Sequence, residues 1–108
     1  MDKRALKVQR LHNDTEKHYF FGFHDIPSWN KAGDKHLILR VDNIDTPPTF
    51  KDSAEYGYIK NGDFIKCGVT RAFNFPQGSR QQWLGCSDKF IVNNFNEELG
   101  VYSEIYDI

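Results

Sequence analysis

Two copies of one pattern constrain what this chain can fold into. The first reads Ser28-Trp29, then Asp34-Lys35-His36-Leu37-Ile38-Leu39. The second reads Gln82-Trp83, then Asp88-Lys89-Phe90-Ile91-Val92. Trp29 and Trp83 are 54 residues apart, and so are Asp34 and Asp88. A Trp, an Asp-Lys turn and an apolar run that recur at fixed spacing describe two stacked supersecondary units rather than one fold closed on itself.

The units read as β structure. No window sustains the apolar stripe at i, i+3, i+4, i+7 that an amphipathic helix needs. Strands are expected at Leu6 to Arg10, at the aromatic run His18 to Phe23, and at Leu37 to Val41. Further strands are expected at Glu55 to Lys60, Phe64 to Thr70, Phe90 to Phe95 and Val101 to Tyr106. Asn61-Gly62 between two apolar strands is a hairpin signal, because both turn positions need positive φ. Lys31-Ala32-Gly33-Asp34 reads as a turn, Asp42 to Ser53 with Pro47-Pro48 as a surface loop, and Asn96 to Gly100 as its shorter counterpart. Each unit then has four antiparallel strands. The first carries the Trp, the second is the most apolar, and the last two form a hairpin. The second copy stops at Ile108, before a fourth strand. The expected fold class is all-β: an incomplete β-propeller of about two four-stranded antiparallel blades. Residues 1–19 form an N-terminal strand and linker, 20–75 the first blade, and 76–108 the second, incomplete blade.

Composition narrows the partners. At 108 residues the chain is one ordinary domain at most, and 15% aromatic residues give it material for a core. A net charge of −1 provides no basic field for nucleic acid or anionic lipid. The N-terminus is charged with no apolar stretch behind it, so neither a signal peptide nor a membrane span is expected, and a cytoplasmic location is the default. Cys67 and Cys86 match no metal or redox spacing and are expected as buried free thiols, unless they meet across neighbouring units. No metal or cofactor is expected. His12, His18, His24 and His36 lack compact ligand spacing. Asp42, Asp45 and Asp52 lack calcium-loop spacing, and no phosphate-binding glycine motif occurs.

Pro27-Ser28-Trp29-Asn30-Lys31-Ala32-Gly33-Asp34-Lys35-His36-Leu37-Ile38-Leu39 resembles the repeat of TolB-like β-propellers. There, Pro, any residue and Trp or Phe precede a Ser/Asn-Pro-Asp-Gly-Lys-like turn and an apolar strand. This chain lacks the Pro-Asp-Gly core of that turn, with Gly33 and Lys35 near the expected places. The second copy departs further, with Leu84-Gly85-Cys86-Ser87 before Asp88-Lys89. The runs Phe21-Gly22-Phe23-His24-Asp25 … Trp29 and Asn74-Phe75-Pro76-Gln77-Gly78 … Gln82-Trp83-Leu84 also resemble a set of uncharacterised bacterial propellers. These are associated with polysaccharide metabolism, and oligogalacturonate lyases have a broadly similar architecture. The resemblance covers about residues 20–108. It implies the fold and leaves the activity open, because propellers host many unrelated functions. Closed propellers have roughly 4–8 blades, and stacked repeats need at least about three units. The resemblance therefore implies remaining propeller blades or self-association as partners.

In such a propeller the first strand of each blade lines the channel, and ligands bind at one mouth. The 54-residue offset aligns Phe23-His24-Asp25-Ile26 with Gln77-Gly78-Ser79-Arg80, both polar where a packing strand would be apolar. The candidate ligand-binding residues are His24, Asp25, Gln77, Ser79 and Arg80. His24 and Asp25 suit a base with its partner or a metal-ligand pair, against the plainer roles of a backbone-bonded imidazole and a turn cap. Arg80 suits a bidentate clamp on an anion, against a structural salt bridge. Gln77 and Gln81 suit sugar hydroxyls, against exposed turn polarity. Gln77-Gly78-Ser79-Arg80-Gln81 lacks the second glycine of a nucleophile elbow. The tryptophans are expected to pack unit on unit rather than to stack on sugars. The expected function is that of a propeller-fragment binding module, with a carbohydrate as candidate ligand and no catalysis by the isolated chain. The alternative is part of a carbohydrate-active propeller enzyme, a polysaccharide lyase or glycoside hydrolase.

Overall fold

The structure, a computed structural model, describes residues 11, 12, 14, 16–22 and 26–108. The expected strand at Leu6 to Arg10 lies outside them. Seven strands follow in chain order: β1 (His18–Phe20), β2 (His36–Val41), β3 (Ala54–Lys60), β4 (Asp63–Thr70), β5 (Gln82–Trp83), β6 (Lys89–Asn96) and β7 (Gly100–Asp107). They make a four-stranded antiparallel sheet, β1-β2-β3-β4, and a three-stranded antiparallel sheet, β5-β6-β7. The chain is all-β, and no helix occurs among the described residues. β1 spans the 19/20 boundary read from the sequence, so the first sheet begins earlier than expected.

The repeat is a property of the backbone as well as of the residues. Trp29 bridges His36 and Trp83 pairs with Phe90, the same rung in both copies. Asn30 N–H donates to Lys35 O at 3.0 Å, and Leu84 N–H donates to Lys89 O at 2.8 Å. Gly33 N–H donates to Asn30 O, and Ser87 N–H to Leu84 O. The two turns therefore share their hydrogen bonds although their sequences differ. The first is also held by the Asn30 side chain, whose Oδ1 accepts from Asp34 and Lys35 N–H. Lys35 Nζ lies 3.6 Å from both Asp34 and Asp88, so the two turns are neighbours in space. Asn61-Gly62 forms the expected tight turn, with φ of 54° and 85°.

Before the tryptophans the two copies diverge. β1 pairs Phe20 with Leu39, whereas Asn93, the counterpart of Leu39, donates its backbone N–H to Ser79 O. The segment carrying the first Trp is therefore reduced to the single Trp29–His36 bridge and forms no named strand of the first sheet. Beside residues 39–41 of β2 its place is taken by His18–Phe20. Ser79 lies at the rung that Phe20 holds in the first sheet, and of the expected alignment of Phe23-His24-Asp25-Ile26 with Gln77-Gly78-Ser79-Arg80 the first three residues lie outside the described ones. Trp29 is also not core: it is 46% exposed, lying edge-on to His36 at 4.9 Å. Trp83 is packed against the core and donates its indole N–H to Ser28 O at 2.8 Å.

One core joins the sheets. Leu37, Leu39 and Val41 of β2 and Ala54 and Tyr56 of β3 meet Phe90 and Val92 of β6. Phe90 is fully buried among Tyr106 (5.4 Å, stacked), Trp83 (5.7 Å) and Tyr56 (5.9 Å). Burying such a ring contributes about 2–3 kcal/mol. Every second residue of β6 faces the first sheet, as strand pleating requires. Cys67 and Cys86 are free. Cys67 is half-buried, but Cys86 lies exposed in the second turn, contrary to expectation, because the Gly85-to-Asp88 turn points into solvent.

Candidate functional site

The turn after β4 builds a shallow hollow of about 280 Å³, bordered by Phe50, Phe73, Asn74, Gln77, Arg80 and Asn93. Asn74 and Gly78 exchange backbone bonds at 2.9 and 2.8 Å, and the Asn74 side chain accepts the Gln77 N–H at 2.7 Å. This closes a tight loop with Gly78 at φ 59° and Arg80 at φ 53°. The left-handed conformation is uncommon for an arginine; here it turns the chain between the loop and β5. Gln77 is exposed and Arg80 half-buried, and both line the hollow.

Ser79 is turned inward. It is 1% exposed, and its hydroxyl lies against Ala72 O (2.5 Å), Asn93 O and Thr70 Oγ1 (3.2 Å). Thr70 donates to the same Asn93 carbonyl at 2.6 Å. These hydroxyls satisfy carbonyls where the sheets meet, as buried polar groups must. Gln81 is likewise buried; its amide bonds Phe21 O and accepts the Ser79 N–H. Sequence reading missed this because an internal hydrogen-bond role and a ligand role use the same residue types.

His24 and Asp25 lie outside the described residues. The chain leading to them is placed, however. Gly22, at φ 124°, lies so close to the turn that an added Cβ would sit 2.9 Å from Gln77 O. With Gln81 holding Phe21 O, the polypeptide reaches residue 22 beside the Gln77–Gly78 turn.

Other lining residues escaped the sequence reading. Phe50 comes from the long loop and stacks on Phe95 at 4.2 Å. Arg71 holds it by donating Nε–H to Phe50 O at 2.7 Å, while its guanidinium forks onto Glu97 at 2.8 and 3.1 Å. That pair raises Arg71 and lowers Glu97 from their ordinary pKa ranges. A second polar cluster lies on the first sheet. Arg40 bonds Glu55 at 2.8 Å across β2 and β3 and lies 4.3 Å from the Phe64 ring centre. The Arg40 bond pulls Glu55 below the usual carboxylate range despite its burial. The signal for this cluster was opposite charges in two otherwise apolar strands; the pairing register was needed to join them.

The lining side chains of the hollow are amides, a guanidinium and aromatic rings, groups suited to holding hydroxyls or an anion. Among the described residues no three His, Cys, Asp or Glu side chains converge to hold a metal ion. No helix among them is long and apolar enough to cross a membrane. The chain matches no protein-family model, no curated protein and no solved structure.

Proposed function

We propose that this chain is a β-propeller segment of the TolB-like kind that acts as a binding module, with the hollow beside Gln77 and Arg80 as its ligand seat and a carbohydrate as ligand class. The observation that carries the reading is the composition of the hollow's wall. Gln77 and Asn74 offer amide donors and acceptors at a concave surface, Arg80 offers a planar cation, and Phe50 and Phe73 offer ring surface. A few convergent polar groups over aromatic carbon suit a hydroxyl-rich ring. The paired turns and shared core of the two sheets support the repeat architecture. The same wall favours binding over catalysis, since amides and a guanidinium do not exchange protons near neutral pH.

Titration of the chain with a panel of neutral and acidic oligosaccharides, followed by backbone amide NMR, tests this. Shifts centred on Gln77, Gly78 and Arg80 are expected, with binding weakened about tenfold or more by Gln77→Ala or Arg80→Ala. A ligand that binds equally well to both variants removes the hollow as its seat. Absence of binding across the panel removes the carbohydrate reading.

A further inference from the structure

Phe50, on the wall of the hollow, is 49% exposed and yet held in place. The turn that carries it closes on itself. Asp52 N–H donates to Thr49 O at 3.0 Å, and Asp52 Oδ2 accepts the Thr49 N–H at 2.8 Å. Among the described residues, the bond that ties this turn to the sheets is the one Phe50 O accepts from Arg71 Nε–H at 2.7 Å. The ring itself stacks on Phe95, with centres 4.2 Å and planes 15° apart. Ordering a loop residue costs conformational entropy, and a half-exposed ring recovers little of it by burial. Other contacts must hold Phe50.

Arg71 supplies them. It follows β4 of the first sheet, and its backbone N–H donates to the Asn94 side chain of β6 at 2.9 Å. Its guanidinium meets three groups at once. Nε–H goes to Phe50 O, and the terminal nitrogens fork onto Glu97 at 2.8 and 3.1 Å. Cζ lies 5.1 Å from the centre of Phe95, the ring on which Phe50 stacks. A planar guanidinium can serve a carbonyl along one edge, a carboxylate along another and a ring against its face; an ammonium cannot. The long loop, the end of the first sheet and the second sheet thus converge on one side chain.

We propose that Arg71 is a positioning residue of the hollow: it clamps Phe50 against Phe95, so that the Phe50 ring stands as a wall for a saccharide ring to pack on. The clamp rests on the reading of the hollow as a ligand seat. Arg71 lies outside the wall and acts through Phe50. Apparent affinity then falls with the fraction of chains whose ring is in place. A strap that only stabilises the fold would move the unfolding midpoint and leave the affinity of the folded chain unchanged. The Glu97 arm is exposed, with 78% of that side chain in solvent, so salt loosens the clamp.

The ring is followed first without ligand, by NMR cross-peaks between the Phe50 and Phe95 side chains. Arg71→Ala and Arg71→Lys are both expected to lose them. Affinity for the tightest saccharide of the panel is then measured for the parent, both variants, Phe50→Ala and the double variant Phe50→Ala/Arg71→Ala. Arg71→Ala is expected to weaken binding about three- to tenfold, with Arg71→Lys close to it. The double variant should bind no more weakly than Phe50→Ala, because the clamp acts only through that ring. Circular dichroism and urea midpoints establish that each variant is folded. Cross-peaks that survive in Arg71→Ala, parent affinity in Arg71→Lys, or losses that add in the double variant each overturn the proposal. Parent affinity in Arg71→Ala overturns it as well and leaves the ligand seat standing. A panel in which nothing binds the parent chain sinks the ligand seat, and the positioning role falls with it.

Discussion

Tyr56 of the first sheet donates its hydroxyl to Glu104 of the second at 2.9 Å, and that bond ties the two repeat units together at the centre of their interface. Glu104 also accepts from Tyr102 at 2.7 Å and from the Asn94 amide at 3.0 Å. Asn94 in turn donates to Val69 O and accepts the Arg71 N–H, so the network reaches from β7 back to the end of β4. A carboxylate held by three neutral donors satisfies its lone pairs where the sheets exclude water.

Removing one donor from this network exposes its value. Tyr56→Phe keeps the ring in the core and takes away the bond, which is expected to cost about 1–2 kcal/mol. Urea unfolding should show a lower midpoint with an unchanged slope. Burial, with the Glu104 carboxylate beside it, holds the Tyr56 phenol well above its ordinary pKa. The folded chain therefore keeps that proton when the unfolded chain releases it. The contribution is complete below about pH 10 and declines as pH rises past it, an alkaline limb that Tyr56→Phe should flatten.

Gly68 makes room for that tyrosine. A Cβ there would lie 2.5 Å from Tyr56 Cζ and Oη. Gly68→Ala is expected to displace the ring, break the Glu104 bond and destabilise the chain by about 2–3 kcal/mol. A thermal midpoint equal to that of the parent chain would contradict this packing.

His36 holds the rung that Phe90 fills in the second copy, and its Nδ1 is buried without a hydrogen-bond partner among the described residues. Burial holds its pKa below the ordinary value. As pH falls below about 6.5 the unfolded chain binds the proton first, so stability present above that value is lost on acidification. His36→Phe is expected to raise stability by about 1 kcal/mol and to flatten the profile between pH 7 and 5. Guanidinium unfolding at a series of pH values would show it.

The Arg40–Glu55 pair acts on the acid side as well. Glu55 is held low chiefly by the Arg40 hydrogen bond. Its contribution is complete above the unfolded value of about 4.3 and is lost as pH falls through the lower folded one. Glu55→Gln should cost about 1 kcal/mol at neutral pH, with the difference from the parent vanishing as pH falls through the lowered folded value.

The amino-acid sequence alone determined the local elements. Strand patterning placed β2, β3, β4, β6 and β7 to within a residue or two, and Asn61-Gly62 placed the tight hairpin between β3 and β4. These signals are short-range: alternation, β-branching and positive φ act within a few residues. The repeat was legible from Trp29 and Trp83 onward, because the turn bonds and the following strand are fixed by neighbouring residues. Tertiary structure decided the rest. It put His18–Phe20 beside β2 in place of a Trp-bearing strand, left Trp29 half exposed, and turned Ser79 and Gln81 inward to satisfy carbonyls. It brought Phe50 and Asn93 to the hollow beside Gln77 and Arg80 from far along the chain. Such contacts depend on which distant segments meet as apolar surface leaves water. That choice is made by the packing of whole faces, and no local pattern records it.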